Sequence, residues 1–297
     1  MTLPRASIII PTYNRPDRLT ACLDALANLD YPENRFEVLV VDDGSQALSS
    51  VENCVRAVGS RMSTHLLQQQ HAGPAAARNL GANASRSELL AFTDDDCRPD
   101  AGWLRALVGA LAKSRGAVVG GRTINALVDN TYSAASQALV SYMYDDSFRK
   151  GQPFVASNNF ALSKGTFEEI GGFDERFPLA GGEDRDFCDR CLAAGAPIEY
   201  VPEATIRHYH HLTMRKFFRQ HYSYGRGACA YRRAVALRRD DRIRFDPFRF
   251  YRDLVRFPFI SDEGPQRFRM AGLLLLAQFV NAAGFFVEKY RGSEFRT

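Results

Sequence analysis

The segment AFTDDDCRP, residues 91–99, runs from an apolar stretch directly into three adjacent aspartates. Neighbouring carboxylates repel one another, so Asp94, Asp95 and Asp96 need either open water or a cation beside them. If this segment is extended, Asp94 and Asp96 face one side and Asp95 faces the other, because alternate residues of a strand point the same way. The pattern therefore predicts either a carboxylate site for Mg²⁺ or Mn²⁺ or a solvated acidic turn.

Strands and helices alternate around this segment in a regular way. Apolar runs predict strands at residues 7–10, 36–41, 65–67 and 89–92. Helical spacing predicts helices at residues 16–29, 48–58 and 74–84. Continuously apolar strands that alternate with helices predict an α/β fold, with a mostly parallel sheet flanked by helices. The carboxyl ends of such strands share one edge, so the polar clusters at 11–15, 42–45 and 94–96 are expected to meet in one crevice.

The second half of the chain is less regular. The predicted elements are a strand near residues 155–160, helices from Lys164 and after Gly182, and a short strand at 198–201. From Thr213 onward the chain is expected to be helical, basic and rich in aromatic residues. We see neither repeats nor a low-complexity linker, which favours a catalytic domain over residues 1–212 with a C-terminal helical extension over residues 213–297.

The charge of the chain is divided unevenly. Its 297 residues, 45% hydrophobic and 24% charged, are typical of a globular protein with a packed core, and the formal net charge is +4. Residues 207–256 hold 14 Lys and Arg against 4 Asp and Glu, a local charge of +10, so the remaining chain carries −6. A basic block after an acidic body indicates an anionic partner such as phosphates, nucleic acid or a lipid surface.

The cysteines and the N-terminus bear on the compartment. Six cysteines are scattered along the chain, and the first apolar run is too short for a signal peptide. We therefore expect free thiols and a cytoplasmic protein.

Four motifs resemble, in order and in spacing, those of the family 2 glycosyltransferases, which are inverting enzymes with the GT-A nucleotide-sugar fold. The motifs are SIIIPTYNR at residues 7–15, VVDDGS at 40–45, GPAAARN at 73–79 and TDDD at 93–96. The resemblance extends over about residues 6 to 211. It implies a GT-A type sheet, a nucleoside-diphosphate sugar donor and a divalent cation.

The resemblance also implies which residues bind the donor. They are Pro11, Thr12, Tyr13, Arg15, Asp42, Asp43, Arg78, Asp94 and Asp95. Asp42 and Asp43 would accept an N–H of the base or a ribose hydroxyl, although the same residues also suit a turn and a helix cap. Arg78, close to a predicted helix N-terminus, would contact the diphosphate, and a surface arginine is the alternative.

The cation in this resemblance is Mn²⁺ or Mg²⁺, with Asp96 as a direct ligand and His208 as a further ligand or as a contact of the diphosphate. Imidazole suits Mn²⁺ better than Mg²⁺. Three histidines within residues 208–211, together with Cys188 and Cys191, would also suit zinc, but no ligand pair has the matching spacing. The two cysteines are expected in the core of a helix.

An acceptor side follows from two further segments that resemble the same family, GGFDERF at 171–177 and GGED at 181–184. The resemblance implies that Asp184 is the general base and that Gly182 and Glu183 bind the acceptor. Inverting transfer needs a carboxylate opposite the leaving group to take the proton of the attacking hydroxyl. An acidic helix N-terminus, which the helix dipole favours, is the alternative. The glycines would let a substrate approach the backbone closely.

Three other residues carry weaker expectations. The family pattern places Asn158 and Asn159 loosely near the sugar, while Trp103 is expected to pack a helix onto the sheet.

The C-terminal segment 271–287 has no charged residue in 17 positions. As a helix it would span about 25 Å, less than the roughly 30 Å of bilayer hydrocarbon. With the cationic, aromatic residues before it, an interfacial helix on the inner face of an anionic membrane is one expectation. A helix buried against the catalytic domain is the other, and a membrane-spanning helix is less favoured than either.

The function predicted from the sequence is metal-dependent, inverting transfer of a sugar to a glycan, a lipid-linked acceptor or another hydroxyl acceptor. A nucleotidyltransferase would need a glycine-rich, lysine-bearing triphosphate loop near the first strand, and residues 11–15 contain none. A non-catalytic nucleotide-binding or membrane scaffold protein is the alternative from another class. Nucleic acid is not expected as a partner, because the basic block comes without a nucleic-acid-binding module.

Overall fold

The computed structural model describes residues 3–151, 153–177, 181–240, 247–260 and 266–291. Arg242 and Arg244 of the basic block lie outside the described residues.

The described residues form one eight-stranded sheet with the order β3-β2-β1-β4-β7-β6-β8-β5. The strands are β1 (Ala6–Thr12), β2 (Phe36–Asp42), β3 (Thr64–Gln68), β4 (Leu89–Thr93), β5 (Cys97–Pro99), β6 (Val118–Asn125), β7 (Asn159–Ser163) and β8 (Ile198–His208). The first four strands are mutually parallel, as predicted, and β6 is parallel to β8. The strand β7 is antiparallel to β4 and β6, and β5 is antiparallel to β8, so the sheet is mixed but mostly parallel.

Ten α-helices accompany the sheet in the part of the chain that the structure describes. They are α1 (Pro16–Leu26), α2 (Leu48–Val58), α3 (Pro74–Ala84), α4 (Trp103–Lys113), α5 (Thr131–Arg149), α6 (Lys164–Ile170), α7 (Glu183–Ala193), α8 (Met214–Arg239), α9 (Phe248–Ile260) and α10 (Arg267–Tyr290). The helices predicted at 48–58 and 74–84 are confirmed. The strand predicted near 155–160 is present but begins later, because Val155 is buried outside the sheet and β7 begins at Asn159.

The hydrophobic core lies on both faces of the sheet, because successive side chains of β1 point to opposite faces. Ile8 and Ile10 face α1, α2 and α4, whereas Ile9 faces α3, α6 and α7. All three isoleucines are fully buried. Trp103 is also fully buried in the first of these layers, which confirms that it packs α4 onto the sheet.

The C-terminal helices pack closely on the rest of the chain. Gly225 of α8 lies against α10, where a Cβ atom added to it would be 1.9 Å from the carbonyl oxygen of Asn281. Tyr142 of α5 and Leu254 of α9 pack in a further cluster with Leu274 of α10. The helix α10 is long and apolar enough to cross a membrane, with a mean hydropathy of 1.8, and 28% of that apolar window is buried. The domain division at residue 212 stays a prediction.

Candidate active site

The aspartate triad forms a turn between β4 and β5, in which the amide of Cys97 donates to the carbonyl oxygen of Asp94 at 3.0 Å. The expectation of an extended segment, with Asp94 and Asp96 on one side, is therefore wrong. In the turn Asp95 and Asp96 share one arginine, while Asp94 pairs with another. Arg15 contacts Asp95 at 3.3 Å and Asp96 at 3.7 Å, whereas Asp94 accepts from Arg78 at 2.8 Å.

Asp95 is a buried residue that joins the triad to the end of β1. Its Oδ2 atom accepts from the Thr12 hydroxyl at 2.8 Å, and its Oδ1 atom accepts from Arg15. Burial and the neighbouring Asp96 raise the pKa of Asp95 to about 7, although Arg15 and Thr12 stabilise its charged form. These contacts fix the loop after β1 against the triad.

Asp96 lies beside His208, because β5 pairs with β8 in a register that places Cys97 opposite His208. The Nε2 atom of His208 is 3.2 Å from Oδ1 of Asp96, and Arg18 donates to Oδ2 at 2.7 Å. Burial alone would raise the pKa of Asp96, but His208 and the two arginines, Arg15 and Arg18, lower it well below its usual value. The carboxylate is thus charged at any physiological pH.

A carboxylate and an imidazole at this distance form a donor pair that suits a divalent cation accepting both oxygen and nitrogen ligands. The sulfur of Cys97 lies in the same cluster, and burial raises the pKa of this thiol far above its usual value, so the thiol is protonated when no metal is bound. Asp96 and His208 therefore fit a metal site. Arg18 was missed from the sequence, although its position three residues after Arg15 at the start of α1 is the signal that could have identified it.

The two aspartates after β2 have different surroundings. Asp43 accepts from the amides of Ala72 and Gly73 at 2.8 and 3.0 Å, so it fixes the loop before α3. Asp42 accepts from the amide of Ser45 through Oδ2, while its buried Oδ1 atom has no hydrogen-bond partner among the described residues. Asp42 is therefore the better placed of the two to accept a hydrogen bond from a ligand.

An aromatic platform lies next to these aspartates. The rings of Tyr13 and His71 stack with centroids 4.2 Å apart, and both side chains are exposed. His71 also contacts Asp43 at 2.9 Å. Pro11 pairs with Val41 inside the sheet, one residue before the last residue of β1. Sequence reasoning missed His71, because only the fold brings it to Tyr13.

Arg78 links the triad to the predicted acceptor segment at residues 181–184. Its guanidinium is buried and donates to Asp94 at 2.8 Å and to Glu183 at 3.4 Å. Glu183 in turn accepts from the amide of Gly181 at 2.6 Å. Arg78 therefore holds two carboxylates in place inside the protein, and the alternative of a surface arginine is wrong.

The acidic pair at the start of α7 is destabilised in its charged form. Burial and the adjacent Asp184 raise the pKa of Glu183 to about 7, although Arg78 lowers it. Burial also raises the pKa of Asp184, although the hydrogen bond from the amide of Arg185 and the charge of Arg78 lower it. A carboxylate with a raised pKa accepts a proton more readily, which is the property required of a general base.

The glycine pair before these carboxylates is required by its backbone conformation and by close packing against α8. Gly181 and Gly182 have φ angles of 125° and 102°, which side chains rarely adopt. A Cβ atom on Gly182 would lie 2.6 Å from the carbonyl oxygen of Gly227 in α8. The backbone of α8 thus makes a close approach to this pair, and the approach of a substrate from the cavity, which both glycines line, stays a prediction.

A cavity of about 640 Å³ opens beside the acidic pair. The predicted site residues that line it are Arg78, Asp94, Gly182, Glu183, Asp184 and His208. Thr12, Tyr13, Arg15 and the aspartates after β2 lie outside this lining, at the ends of β1 and β2. The structure thus separates the predicted donor residues of the first strands from the acceptor residues, with Arg78 and Asp94 between the two groups.

The remaining candidate residues differ in whether they are buried in the core or line the cavity. Asn159 is fully buried and holds the sheet together, accepting from Trp103 at 2.8 Å and donating to the carbonyls of Arg122 and Ala204, so its expected place near the sugar is wrong. Asn158 lines the cavity. Cys188 and Cys191 are buried in the hydrophobic layer beneath α7, and no metal cluster among the described residues contains them.

The family of the chain follows from comparison with known proteins. The model for glycosyl transferase family 2 matches residues 7–171, and that for the N-terminal domain of galactosyltransferase matches residues 143–215. The pre-mycofactocin glycosyltransferase of Mycobacterium tuberculosis is 30% identical over 231 residues, covering 75% of this chain and 46% of the relative. Glycosyltransferase AglE of Haloferax volcanii is 32% identical over 214 residues, covering 67% of this chain and 65% of the relative. The chain thus spans 46% to 65% of the length of these curated relatives.

Solved structures share the fold at low sequence identity. The mannosyltransferase PcManGT from Pyrobaculum calidifontis, in complex with GDP-Man and Mn²⁺, has a TM-score of 0.62 and 18% identity over 95% of this chain and 76% of its own. GalNAc-T7 with UDP, GalNAc and Mn²⁺ has a TM-score of 0.57 and 16% identity over 76% of this chain and 48% of its own. The GT-A-like fold that the motifs predict is confirmed. The chain belongs to glycosyl transferase family 2.

Proposed function

We propose that the chain transfers a sugar from a nucleoside-diphosphate sugar to an acceptor hydroxyl with inversion at the anomeric carbon. The observation that carries this proposal is the bridge made by Arg78 between Asp94 and Glu183. It brings the aspartate turn and the acidic pair of α7 to the walls of one cavity. A transferase needs this juxtaposition, since the departing diphosphate and the attacking hydroxyl must meet at one carbon atom.

The donor nucleotide would bind at the carboxyl ends of β1 and β2. The stacked pair Tyr13 and His71 presents an exposed aromatic surface to a base. The unpartnered Oδ1 atom of Asp42 would accept an N–H or a hydroxyl from the nucleoside. Support comes from the related folds solved with GDP-Man and with UDP, which are nucleotides of the proposed class.

The residues that would hold a divalent cation are Asp96 and His208. The mixed oxygen and nitrogen donor pair favours Mn²⁺, the ion that the two related structures contain. When bound, such a cation neutralises charge on a departing diphosphate. Arg78 offsets the negative charge of Asp94 in the wall of the cavity.

Asp184 is the proposed general base. Its carboxylate lines the cavity and takes the proton of the acceptor hydroxyl as that oxygen bonds to the anomeric carbon. The bond from this carbon to the diphosphate breaks in the same step, and the diphosphate leaves with the electron pair. Glu183, held by Arg78 and the amide of Gly181, is oriented away from this role and positions the loop.

The test is the release of nucleoside diphosphate from UDP- and GDP-sugars in the presence of Mn²⁺. Asp184→Asn should slow release by roughly 10²- to 10⁴-fold, the usual contribution of a positioned base, while donor binding persists. Asp189→Asn is the matched control, since Asp189 belongs to the same helix but pairs with Arg238 and does not line the cavity. Equal rates for Asp184→Asn and the control would overturn the assignment and favour a non-catalytic nucleotide-binding protein.

A further inference from the structure

The cavity beside Asp184 continues into an apolar region formed by the C-terminal half of the chain. Its walls there come from α5, α8, α9 and α10. They include the apolar or aromatic side chains of Leu139, Val255, Leu275, Phe279 and Phe286. A free sugar presents hydroxyls, which lose hydration and gain no partner against such walls. This part of the cavity therefore fits an apolar chain better than a carbohydrate.

The cavity reaches the surface among these helices. Phe248, Leu275, Phe279 and Phe286 line it and are also between 45% and 82% exposed. Side chains that are both cavity wall and solvent-exposed mark its mouth. The mouth is thus surrounded by large apolar groups, and an apolar chain leaving the cavity would emerge onto α10.

The exposed side of α10 is a continuous apolar face. We define this apolar face by Gly272, Leu275, Leu276, Phe279, Ala282, Ala283 and Phe286, which are all exposed. They recur at intervals of one, three or four residues and so share one side of the helix. The opposite side is packed, since Leu274 and Phe285 are buried and Glu288 pairs with Arg226 of α8 at 2.7 Å. A helix with one side packed on protein and the other apolar and exposed is suited to lie in a membrane interface.

Cationic side chains are exposed on α9, which packs on α10, and at the two ends of α10 itself. On α9 the exposed residues Arg249, Arg252 and Arg256 recur every three or four positions, so they lie on one side of that helix. Arg269 and Lys289 are exposed at the two ends of α10. An exposed apolar face with cationic side chains at its two ends and on the adjacent helix is complementary to a bilayer that contains anionic lipids.

Two polar side chains of α10 line the same cavity as Asp184 and the apolar walls. Gln278 and Asn281, one helical turn apart on α10, both line the cavity. The Nε2 atom of Gln278 and the Oδ1 atom of Asn281 are buried and have no hydrogen-bond partner among the described residues. Buried polar atoms are normally paired, so these two point to a polar group of a ligand.

We propose that the acceptor is an amphiphile held in an anionic bilayer, on whose surface the apolar face of α10 lies. Its hydroxyl-bearing head reaches Asp184 through the cavity, past Gln278 and Asn281. Its apolar chain lies against Leu275, Phe279 and Phe286 and remains in the lipid. This inference rests on the proposed transferase function, because it assigns the acceptor of the same site.

The membrane contact is tested by sedimentation with vesicles of phosphatidylcholine alone and with vesicles in which roughly a third of the lipid is phosphatidylglycerol. The unmodified chain should bind the anionic vesicles. The double variant Leu276→Glu with Ala283→Glu alters the apolar face outside the cavity lining and should weaken vesicle binding by at least about tenfold, through lost apolar contact and charge repulsion. The matched control is Met214→Glu with Leu237→Glu, which adds the same charges at exposed apolar positions of α8 and should bind normally. Absence of vesicle binding, or equal loss in both double variants, would overturn the proposal.

The acceptor class is tested with two probes that differ only in their apolar chain, methyl and decyl β-D-glucoside, below the concentration at which the latter forms micelles. The decyl compound should raise the melting temperature and the methyl compound should not. Phe279→Asp should abolish the difference, because it places a charge in the apolar wall. Equal responses to the two glucosides, or an undiminished response in Phe279→Asp, would contradict an apolar acceptor chain.

Nucleotide-induced stabilisation, measured on the unmodified chain in the same assay, separates this inference from the proposed function. Stabilisation by a nucleoside diphosphate without binding to vesicles or to the decyl probe would overturn only the acceptor assignment. Binding to vesicles without a response to any nucleotide would overturn the transferase itself.

Discussion

Gly227 of α8 lies so close to Gly181 that a Cβ atom on Gly227 would be 1.6 Å from the carbonyl oxygen of Gly181. The loop that carries the acidic pair is therefore shaped by a helix from the C-terminal part of the chain. Glu183 and Asp184 begin α7 directly after this contact. The C-terminal helices thus complete the candidate active site.

Gly227→Ala should destabilise the protein and misplace Asp184. The added methyl group cannot fit without moving α8 or the loop, and forced overpacking of this kind costs about 1–3 kcal/mol in the free energy of unfolding. Gly109→Ala in α4 is the control, since a Cβ atom there meets nothing within 4 Å. It should stabilise the helix by up to about 1 kcal/mol. Denaturant unfolding of both variants checks the prediction, and equal stability of the two would contradict it.

Arg78→Met should be strongly destabilising. It leaves Asp94 and the buried Glu183 without their shared cation, and removal of one partner from a buried ion pair costs about 3–5 kcal/mol. Arg105→Met removes a pair with Asp30 whose side chains are 48% and 68% exposed, so it should cost no more than about 1 kcal/mol. The melting temperatures of the two variants test this prediction. A similarly small decrease in both would show that Arg78 does not form a stabilising buried ion pair.

The raised pKa of Glu183 predicts a pH dependence of stability. The pKa of Glu183 is about 7 in the folded protein and has its ordinary value of 4.5 in the unfolded chain. The folded protein therefore binds this proton more tightly. The resulting stabilisation is complete below pH 4.5 and is lost as the pH rises to about 7. Glu183→Gln cannot titrate at this position, so the variant should not lose this stabilisation as the pH rises. The melting temperature of the variant relative to the unmodified chain should therefore increase across this range, and a constant difference would contradict the raised pKa.

Asp96→Ala should remove the effect of Mn²⁺ on nucleotide binding, since it deletes the carboxylate beside His208. Asp100→Ala is the control, because Asp100 is exposed at 41% and pairs with Arg207 away from this donor pair. Calorimetric titration of a nucleoside diphosphate, with and without Mn²⁺, provides the comparison. A metal effect that persists in Asp96→Ala would refute the ligand role.

The first half of the fold was predictable because its strands are uninterrupted apolar runs. β1 and β2 are buried on both faces, and such strands are recognised by their nearly continuous apolar sequence. β6 was missed because Gly120 and Gly121 interrupt its pattern, and both lie where a side chain would overlap Val155 or Ala204. α5 was missed because its apolar side is matched to α9 and α10, which only the fold brings together.

The site was predictable only as far as local motifs extend. The motifs identified Asp94 and its partner Arg78, as well as Asp96 and Asp184, but other partners of these residues lie outside the motifs. Arg18, for example, is 78 residues from Asp96 and reaches it only because α1 follows β1 at the edge where the triad turns. Long-range pairing of this kind leaves no local periodicity in the sequence.

The most direct test of a nucleotide-sugar transferase is thermal stabilisation of the unmodified chain by UDP, GDP, dTDP and CDP, each with and without Mn²⁺. We predict that one nucleotide raises the melting temperature and does so only with the metal, by an amount that at roughly 100 times its Kd corresponds to about 2.7 kcal/mol. No shift with any of the four nucleotides, in the presence of Mn²⁺, would contradict a donor site at the ends of β1 and β2.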